Sequence, residues 1–121
     1  MSNISSPPPK RGEVWMVNFD PTLGAEINKV RPAVVVSSDA VGKLPVKLIA
    51  PLTDWKDRYS GNLWHIRIDP GRGNGLSKPS AVDALQVRGA DVRRFQRKLG
   101  RLSSREMENI AAAIAAVVEY Q

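Results

Sequence analysis

Residues 11–37 read RGEVWMVNFDPTLGAEINKVRPAVVVS, two apolar runs separated by a segment that contains turn residues. Residues 12–19 are rich in valine and aromatic residues, which predicts a β-strand. Both faces of that strand carry apolar side chains, so one face can fill a core and the other can pack on a partner subunit. Residues 20–31 contain an Asp-Pro pair and Gly24 but no clear period, which predicts a long loop. The nearly continuous apolar run at 32–37 predicts a second strand that is buried on both faces.

Further short strands are predicted outward from this stretch, at 46–52, 63–68, 80–87 and 98–102. Apolar and polar residues alternate in 63–68, so His65 is expected to face solvent. Residues 69–79 are dense in glycine and proline, which predicts a loop. Residues 1–10 are mostly polar and contain three prolines, so we expect a flexible tail ahead of a single domain at 11–121.

A C-terminal helix is the clearest local prediction. Ser103 and Glu106 form the S-x-x-E pattern of a capping box, in which the serine hydroxyl accepts from an early backbone N–H and the glutamate reaches back to the cap. Apolar residues then recur at helical spacing, and an alanine-rich run favours a helix over 104–120. Many short strands followed by one amphipathic helix indicate a mainly β fold, a small and strongly bent sheet or barrel partly covered by the helix.

The composition excludes several kinds of chemistry. The 121 residues contain no cysteine and a single histidine, so disulfides, thiolate zinc sites and a cysteine nucleophile are excluded. The acidic residues show no metal-ligand spacing, and no cofactor is expected. The net charge of +6 suits an anionic partner such as nucleic acid, although many proteins are merely basic on their surface. No membrane-length apolar run or signal peptide is visible, so we expect a cytoplasmic protein.

Three blocks in the first half of the chain carry a resemblance to a known family. They are GEVW at 12–15, DPTLGAE at 20–26 and RPAVV at 31–35. Weaker matches follow in PLT at 51–53, LQV at 85–87 and KLG at 98–100. In their order and spacing, residues 10–118 resemble the MazF/PemK family of bacterial toxins.

The resemblance implies an SH3-like β-barrel with a C-terminal α-helix, assembled as a homodimer. It implies an endoribonuclease that cuts single-stranded RNA at a short sequence without a metal, leaving a 2′,3′-cyclic phosphate and a 5′-hydroxyl. It also implies a cognate antitoxin protein that wraps the dimer and blocks the RNA groove.

The resemblance places the reaction on three residues. Arg31 is expected to bind the scissile phosphate and stabilise the transition state, since a guanidinium can grip two phosphate oxygens. The alternative is a surface arginine, or one paired with Glu26. Thr53 is expected to donate to a phosphate oxygen, and its alternative is a helix cap or turn residue. Glu26 is a base, a group that orients Arg31, or a solvated loop carboxylate.

RNA-binding residues are expected on three segments. The candidates are Asp20, Thr22, Gly24 and Asn28 in the first loop, Trp55, Lys56 and Arg58 in the second, and Gln86. The first loop is a mobile wall of the groove or a rigid turn. The second mixes aromatic and basic residues that can stack unpaired bases and hold phosphates, although Trp55 can also plug the end of the barrel. Gln86 reads a base edge or is simply exposed, and the basic run at 93–98 is expected to be a solvated face.

Two departures from the family pattern leave the general base open. Some family members carry a histidine before the R-P pair, where this chain has Val30, and many carry an acidic residue before the glutamine, where it has Leu85. Asp83 lies nearby on the same predicted strand face. Three other functions also stay open: a non-catalytic nucleic-acid-binding barrel, a gyrase-directed toxin of the same fold as in the CcdB proteins, and a regulator without activity.

Overall fold

The structure, a computed structural model, describes residues 7–20 and 29–120. These residues form β1 (Glu13–Asn18), β2 (Val30–Val35), β3 (Val46–Asp54), β4 (His65–Ile68), β5 (Ser80–Asp83), β6 (Arg88–Asp91), β7 (Phe95–Arg101) and α1 (Ser104–Val117). Every strand pair is antiparallel, in the order β4-β5-β3-β2-β1-β7, with β6 also paired to β3. Strand β3 is therefore central, with β2 on one edge and β6 and β5 following each other along the other.

The prediction of a mainly β fold with a C-terminal helix is confirmed, but the sheet is open. Within the described residues no ladder joins β4 and β7, the two ends of the strand order. The β1–β7 register shifts between Val14 and Trp15 and again between Met16 and Val17. Such irregularities bend a strand and increase its twist, so the word barrel describes the curvature of this sheet and not its closure.

Strand β1 is paired on both edges, and this pairing extends its neighbours beyond their predicted bounds. Asn18 lies opposite Val30, so β2 starts earlier than the predicted 32–37. Val17 lies opposite Phe95, so β7 starts earlier than the predicted 98–102. Neither extension has a local hydrophobic pattern in the sequence. Each extension is strand because hydrogen bonds to β1 continue the ladder through it.

The prediction of one strand over 80–87 is wrong. The chain forms β5, then a 3₁₀ turn at Ala84–Gln86, then β6. The turn is capped by Asp83, whose side chain accepts from the Leu85 N–H at 3.0 Å. Strand β5 pairs with β3 at 52–54 and β6 pairs with it at 46–49, so the turn steps the chain along one edge of β3.

Two apolar clusters lie on opposite faces of the sheet. The first contains Val14, Val34, Ala50, Leu52, Ile68, Val82, Leu102, Met107 and Ile110, and it is covered by α1. The second contains Val17, Ala33, Val35, Ile49 and Ala90, with Trp15, Phe19 and Phe95 packed against it. The Trp15 and Phe95 rings meet edge to face at 5.7 Å. Both apolar faces of β1 are thus occupied by this chain's own residues.

Helix α1 begins as predicted and ends earlier. The Ser103 hydroxyl accepts from the Glu106 N–H at 3.1 Å and the Glu106 carboxylate accepts from the Ser103 N–H at 2.8 Å, so the capping box is confirmed. The helix stops at Val117 instead of 120 because Glu119 adopts a left-handed φ of 60°. No helix among the described residues has the length and apolar character needed to cross a membrane.

The Glu13 carboxylate is a buried charged group with four partners among the described residues. It is 8% exposed and accepts from the Trp15 indole at 2.9 Å, while its other oxygen lies 3.0 Å from Lys98 Nζ. Arg101 is 3.7 Å away, and the Lys10 backbone N–H donates at 2.9 Å. Burial opposes ionisation, but the hydrogen bonds from Lys10, Trp15 and Lys98 outweigh it and lower the pKa of Glu13 below its usual value of 4.5.

Glu13→Gln is expected to lower the free energy of unfolding by about 2 kcal/mol at pH 7. A carboxylate with a lowered pKa stabilises the fold above its unfolded-state pKa, and this contribution is lost as pH falls through the folded-state pKa. The gap between wild type and variant should therefore shrink from about pH 5 downward. Urea denaturation at pH 7 and pH 3 measures the difference in free energy of unfolding between wild type and variant. Glu108→Gln is the control, because Glu108 is exposed. A pH-independent gap would contradict the assignment.

Candidate active site

A pocket of about 390 Å³ opens where β2 begins and β3 ends. Its lining residues are Phe19, Lys29, Arg31, Pro51, Leu52, Thr53, Asp83, Gln86 and Arg88. Three of the residues predicted from the sequence are therefore brought together, although they lie far apart along the chain: Arg31, Thr53 and Gln86.

The strand register explains why Arg31 and Thr53 meet. Ala33 lies opposite Pro51, and continuing this antiparallel register by two residues brings Arg31 opposite Thr53. Thr53 in turn lies opposite Ala81, two residues before Asp83. Side chains two residues apart on a strand share a face, so Arg31, Thr53 and Asp83 point to the same side of the sheet.

Arg31 and Thr53 are placed where a ligand can reach both. Arg31 is exposed, and its guanidinium makes no hydrogen bond or ion pair with any described residue. No described side chain therefore occupies the guanidinium in place of a ligand. The alternative partner of Arg31, Glu26, lies outside the described residues. Thr53 is half-buried inside β3 and pairs with Ala81, so it is neither a helix cap nor a turn residue.

Asp83 is the only carboxylate among the described residues that line this pocket. One oxygen caps the following turn, and the other lies 3.8 Å from His65 Nε2. His65 is 9% exposed, it stacks on the Tyr59 ring at 3.9 Å, and its Nδ1 lies 3.1 Å from the Asn62 side-chain amide. The expectation of a solvated His65 is wrong, because the loop after β3 folds back over the ring.

The second predicted RNA-binding segment lies beside this pocket and not in it. Trp55 meets Tyr59 edge to face at 5.9 Å, and the Arg67 guanidinium lies 5.3 Å from the Trp55 ring centre. Arg58 lies over Tyr59 at 5.4 Å, and Lys56 is exposed. Trp55 is half-buried in this cluster, which connects to the pocket through Tyr59, His65 and Asp83.

The first predicted loop is described only at its ends, because Thr22, Gly24, Glu26 and Asn28 lie outside the described residues. Asp20 is 3% exposed, and its carboxylate accepts from the Lys29 N–H at 2.9 Å. Arg94 donates to the carbonyl oxygens of Asn18 and Asp20. These bonds hold the two ends of the loop together at the rim of the pocket. The Asp20 carboxylate is thus buried and bonded within the fold instead of being exposed to a ligand.

The solvated face expected at 93–98 is wrong for Arg94, which is half-buried against Asn18 and Asp20. Lys98 pairs with Glu13, and Arg93 pairs with Asp91 at 3.0 Å. The side-chain bond from Arg93, together with its backbone N–H, lowers the pKa of Asp91. Arg97 is exposed, as expected.

The electrostatics of the pocket favour an anion. Lys29, Arg31 and Arg88 are exposed cations around the single carboxylate of Asp83, and Arg88 lies 5.4 Å from the Phe19 ring centre. Guanidinium and ammonium groups around a threonine hydroxyl form a set of donors suited to phosphate oxygens. In the described part of the chain, no three His, Asp or Glu side chains converge as metal ligands.

A sequence profile described as PemK-like, MazF-like toxin of type II toxin-antitoxin system matches residues 10–118. The chain belongs to this MazF/PemK family. A relative from Mycobacterium tuberculosis named Endoribonuclease MazF9 is 30% identical over 112 residues, which are 87% of this chain and 92% of the relative.

Two solved structures share the fold of this MazF/PemK protein. Mycobacterium tuberculosis toxin MazF-mt6 is 22% identical with a TM-score of 0.72, covering 90% of this chain and 98% of that one. An endoribonuclease in complex with its cognate antitoxin from Mycobacterial species is 18% identical with a TM-score of 0.73, covering 93% and 97%. At these identities the likeness concerns the fold alone.

Three charged pocket residues of this MazF/PemK chain were not predicted from its sequence as site residues: Lys29, Asp83 and Arg88. Lys29 lies two residues before Arg31, and Arg88 lies two residues after Gln86. Spacing of two along an extended chain puts side chains on one face, so alternation around Arg31 was the available signal for Lys29. Alternation gave no signal for Arg88, because Gln86 lies in a 3₁₀ turn and not in a strand.

Proposed function

We propose that this chain is a toxin endoribonuclease that cuts single-stranded RNA at a short sequence, using the 2′-hydroxyl of the RNA as the nucleophile. The observation that carries the proposal is the meeting of Arg31 and Thr53 in one open, basic pocket. Membership of the MazF/PemK family and the 30% identity to a protein named Endoribonuclease MazF9 support it.

The proposed reaction needs three functions from the pocket. A base takes the 2′-proton, donors stabilise the additional negative charge on phosphorus, and an acid protonates the leaving 5′-oxygen. Arg31 supplies a bidentate cation for two phosphate oxygens, and Thr53 donates to one of them. The products are a 2′,3′-cyclic phosphate and a 5′-hydroxyl, so neither a metal nor a protein nucleophile is required.

Two carboxylates are candidates for the base. Glu26 is proposed as the base or as the group that orients Arg31. Asp83 lies in the pocket itself, and its oxygen near His65 belongs to a partly buried array of Asn62, His65 and Asp83. A carboxylate held in this way is available for proton transfer from a bound 2′-hydroxyl.

The surfaces beside the pocket are proposed to hold the rest of the RNA. Trp55, Lys56 and Arg58 offer stacking and phosphate contacts for unpaired nucleotides, and Gln86 offers an amide to a base edge. Thr22, Gly24 and Asn28 are proposed to contact the RNA, whereas Asp20 is buried and is proposed to act only by holding the two ends of their loop together. Separate bases are readable only when unpaired, so single strands are the substrate.

The partners are proposed to be a second copy of the chain and a cognate antitoxin protein. A mycobacterial structure of the same fold contains an endoribonuclease with its cognate antitoxin. A protein segment laid over the basic pocket would exclude RNA from Arg31, which is the simplest way to silence this site. Homodimerisation is carried over from the family resemblance.

The test is incubation of a long single-stranded RNA with the purified full chain in EDTA, followed by mapping of the fragment ends. Discrete fragments with 5′-hydroxyl ends are expected from the wild type. Intact RNA with several unrelated sequences, from a chain shown to be folded, would favour a binding module, a gyrase-directed toxin or an inactive regulator.

Thr53→Val is expected to slow cleavage by about a hundredfold, since a donor aimed at developing charge contributes a factor of this order. The substitution keeps a β-branched side chain inside β3, so the melting temperature should change little. Single-turnover cleavage rates measure the effect, with Thr53→Ser as the matched control because it retains the hydroxyl. If Thr53→Ser lost as much activity as Thr53→Val, the hydroxyl would not be the group that acts.

A further inference from the structure

A second pocket, of about 230 Å³, lies behind the strand ends that carry Arg31 and Thr53. It shares Leu52 and Thr53 with the first pocket. Its other lining residues are Met16, Pro32, Asp54, Gly75, Leu76, Ser77, Lys78, Ser80, Arg97 and Leu99. The two pockets are therefore contiguous at the end of β3.

Strand alternation separates the two pockets. Pro32 lies opposite Met16, and Met16 lies opposite Arg97, so these three side chains share one face across β2, β1 and β7. Arg31 is the neighbour of Pro32 along β2 and points to the opposite face. A ligand that passes over the ends of β2 and β3 can occupy both pockets at once.

The second pocket combines an apolar floor with charge at its rim. Met16, Pro32, Leu52, Leu76 and Leu99 supply the apolar surface. Arg97 is exposed and has no hydrogen bond or ion pair with any described residue, whereas Lys78 pairs with Asp54 at 3.1 Å. The volume lies below the roughly 300–1,000 Å³ of sites for drug-sized ligands, and it suits one flat ring.

The wall of this pocket is held in place before any ligand binds. Asn74 is buried, and its side-chain oxygen accepts from the Leu76 N–H at 3.0 Å. Gly75 has a φ of 74°, and a Cβ there would lie 2.3 Å from the Leu99 carbonyl oxygen, so the loop packs directly on β7. A preformed pocket loses little conformational entropy when a ligand enters.

We propose that the second pocket binds the base of a nucleotide flanking the cleaved bond, with Arg97 contacting the phosphate of that nucleotide. The inference rests on the proposed RNA cleavage at Arg31. An unpaired base matches the apolar floor, the free guanidinium matches a phosphate, and the shared Thr53 links the subsite to the scissile bond.

The test uses an oligoribonucleotide that spans the mapped cleavage site and carries a 2′-deoxy nucleotide on the 5′ side of the cut bond. Its binding to the full chain is followed by fluorescence anisotropy, and matched oligonucleotides carry an abasic residue at each flanking position. One abasic position should weaken wild-type binding about tenfold, as expected for loss of a bound base.

Arg97→Ala should weaken binding of the intact oligonucleotide, lower the slope of log affinity against log salt by about one, and reduce the penalty of that abasic position. Arg93→Ala is the matched control, because Arg93 is exposed, belongs to the same basic run and lines neither pocket. The subsite alone would be overturned if the wild type cleaved RNA but no abasic position weakened its binding. It would also be overturned if the wild type cleaved RNA and Arg97→Ala bound the intact oligonucleotide as tightly as the wild type does. A folded wild type that neither cleaves nor binds RNA would overturn the proposed function as well.

Discussion

Arg31→Lys is expected to slow RNA cleavage by about a thousandfold while leaving the fold intact. Lysine keeps the charge but loses the planar fork that can hold two phosphate oxygens at once. Arg31 is exposed and makes no hydrogen bond or ion pair among the described residues, so its replacement removes no contact that stabilises this part of the fold.

Single-turnover cleavage rates and thermal melting curves measure these two effects separately. Arg93→Lys is the matched control, since Arg93 is an exposed arginine whose partner, Asp91, lies outside the pocket. The control should cleave like wild type. If Arg31→Lys also cleaved at the wild-type rate, Arg31 would be an ordinary surface charge and the pocket would have another function.

Gly100→Ala is expected to destabilise the fold by about 3 kcal/mol or more. A Cβ at this position would lie 2.2 Å from the Gly73 carbonyl oxygen and 2.6 Å from the Asn74 carbonyl carbon. Both atoms belong to the backbone, so they cannot move aside as a flexible side chain would. The added methyl group would push the loop at 69–79 away from β7.

Urea denaturation of Gly100→Ala measures this loss, and Gly61→Ala is the control. A Cβ at Gly61 would meet no atom within 4 Å, so that variant should unfold like wild type. A Gly100→Ala protein as stable as Gly61→Ala would mean that the loop does not pack on β7 as described. The same loop forms a wall of the second pocket, so its displacement should also weaken RNA binding.

The parts of the fold that depend on local patterns were predictable. The capping box at Ser103 and Glu106 satisfies backbone groups within one helical turn, and its signal lies within four residues. The first strand shows a local apolar pattern, and the Gly- and Pro-rich segment at 69–79 shows a loop pattern. Each of these predictions needed no knowledge of a partner distant in sequence.

Three of the errors arise from contacts that lie outside the local sequence pattern. The strand predicted over 80–87 breaks because β3 offers its edge to two strands in succession, and Asp83 caps the step between them. His65 is covered by Tyr59 from the preceding loop, and Arg94 binds carbonyl oxygens more than seventy residues away along the chain. Such contacts leave no period in the sequence.

The candidate site was predictable only in part, because some of its residues belong to recognisable motifs and others are placed by the folded chain. Arg31, Thr53 and Gln86 were selected through resemblance to MazF/PemK motifs, and the sheet brings them together. Asp83 enters the pocket through the pairing of β5 with β3, whereas Arg88 enters it because the turn at Ala84–Gln86 redirects the chain, and the predicted continuous strand has no such turn. The position of Arg88 thus depends on a turn that the sequence pattern did not reveal.

Attack by the 2′-hydroxyl of the RNA can be tested with two short RNAs that span one mapped cleavage site. They differ only in the 2′ position on the 5′ side of the cut bond, which is a hydroxyl in one and a hydrogen in the other. With wild-type protein in EDTA, the first should be cut to a 2′,3′-cyclic phosphate and a 5′-hydroxyl, and the second should stay intact. Cleavage of the deoxy-substituted RNA at the same bond would contradict the account, because the nucleophile would then not be the 2′-hydroxyl of the RNA.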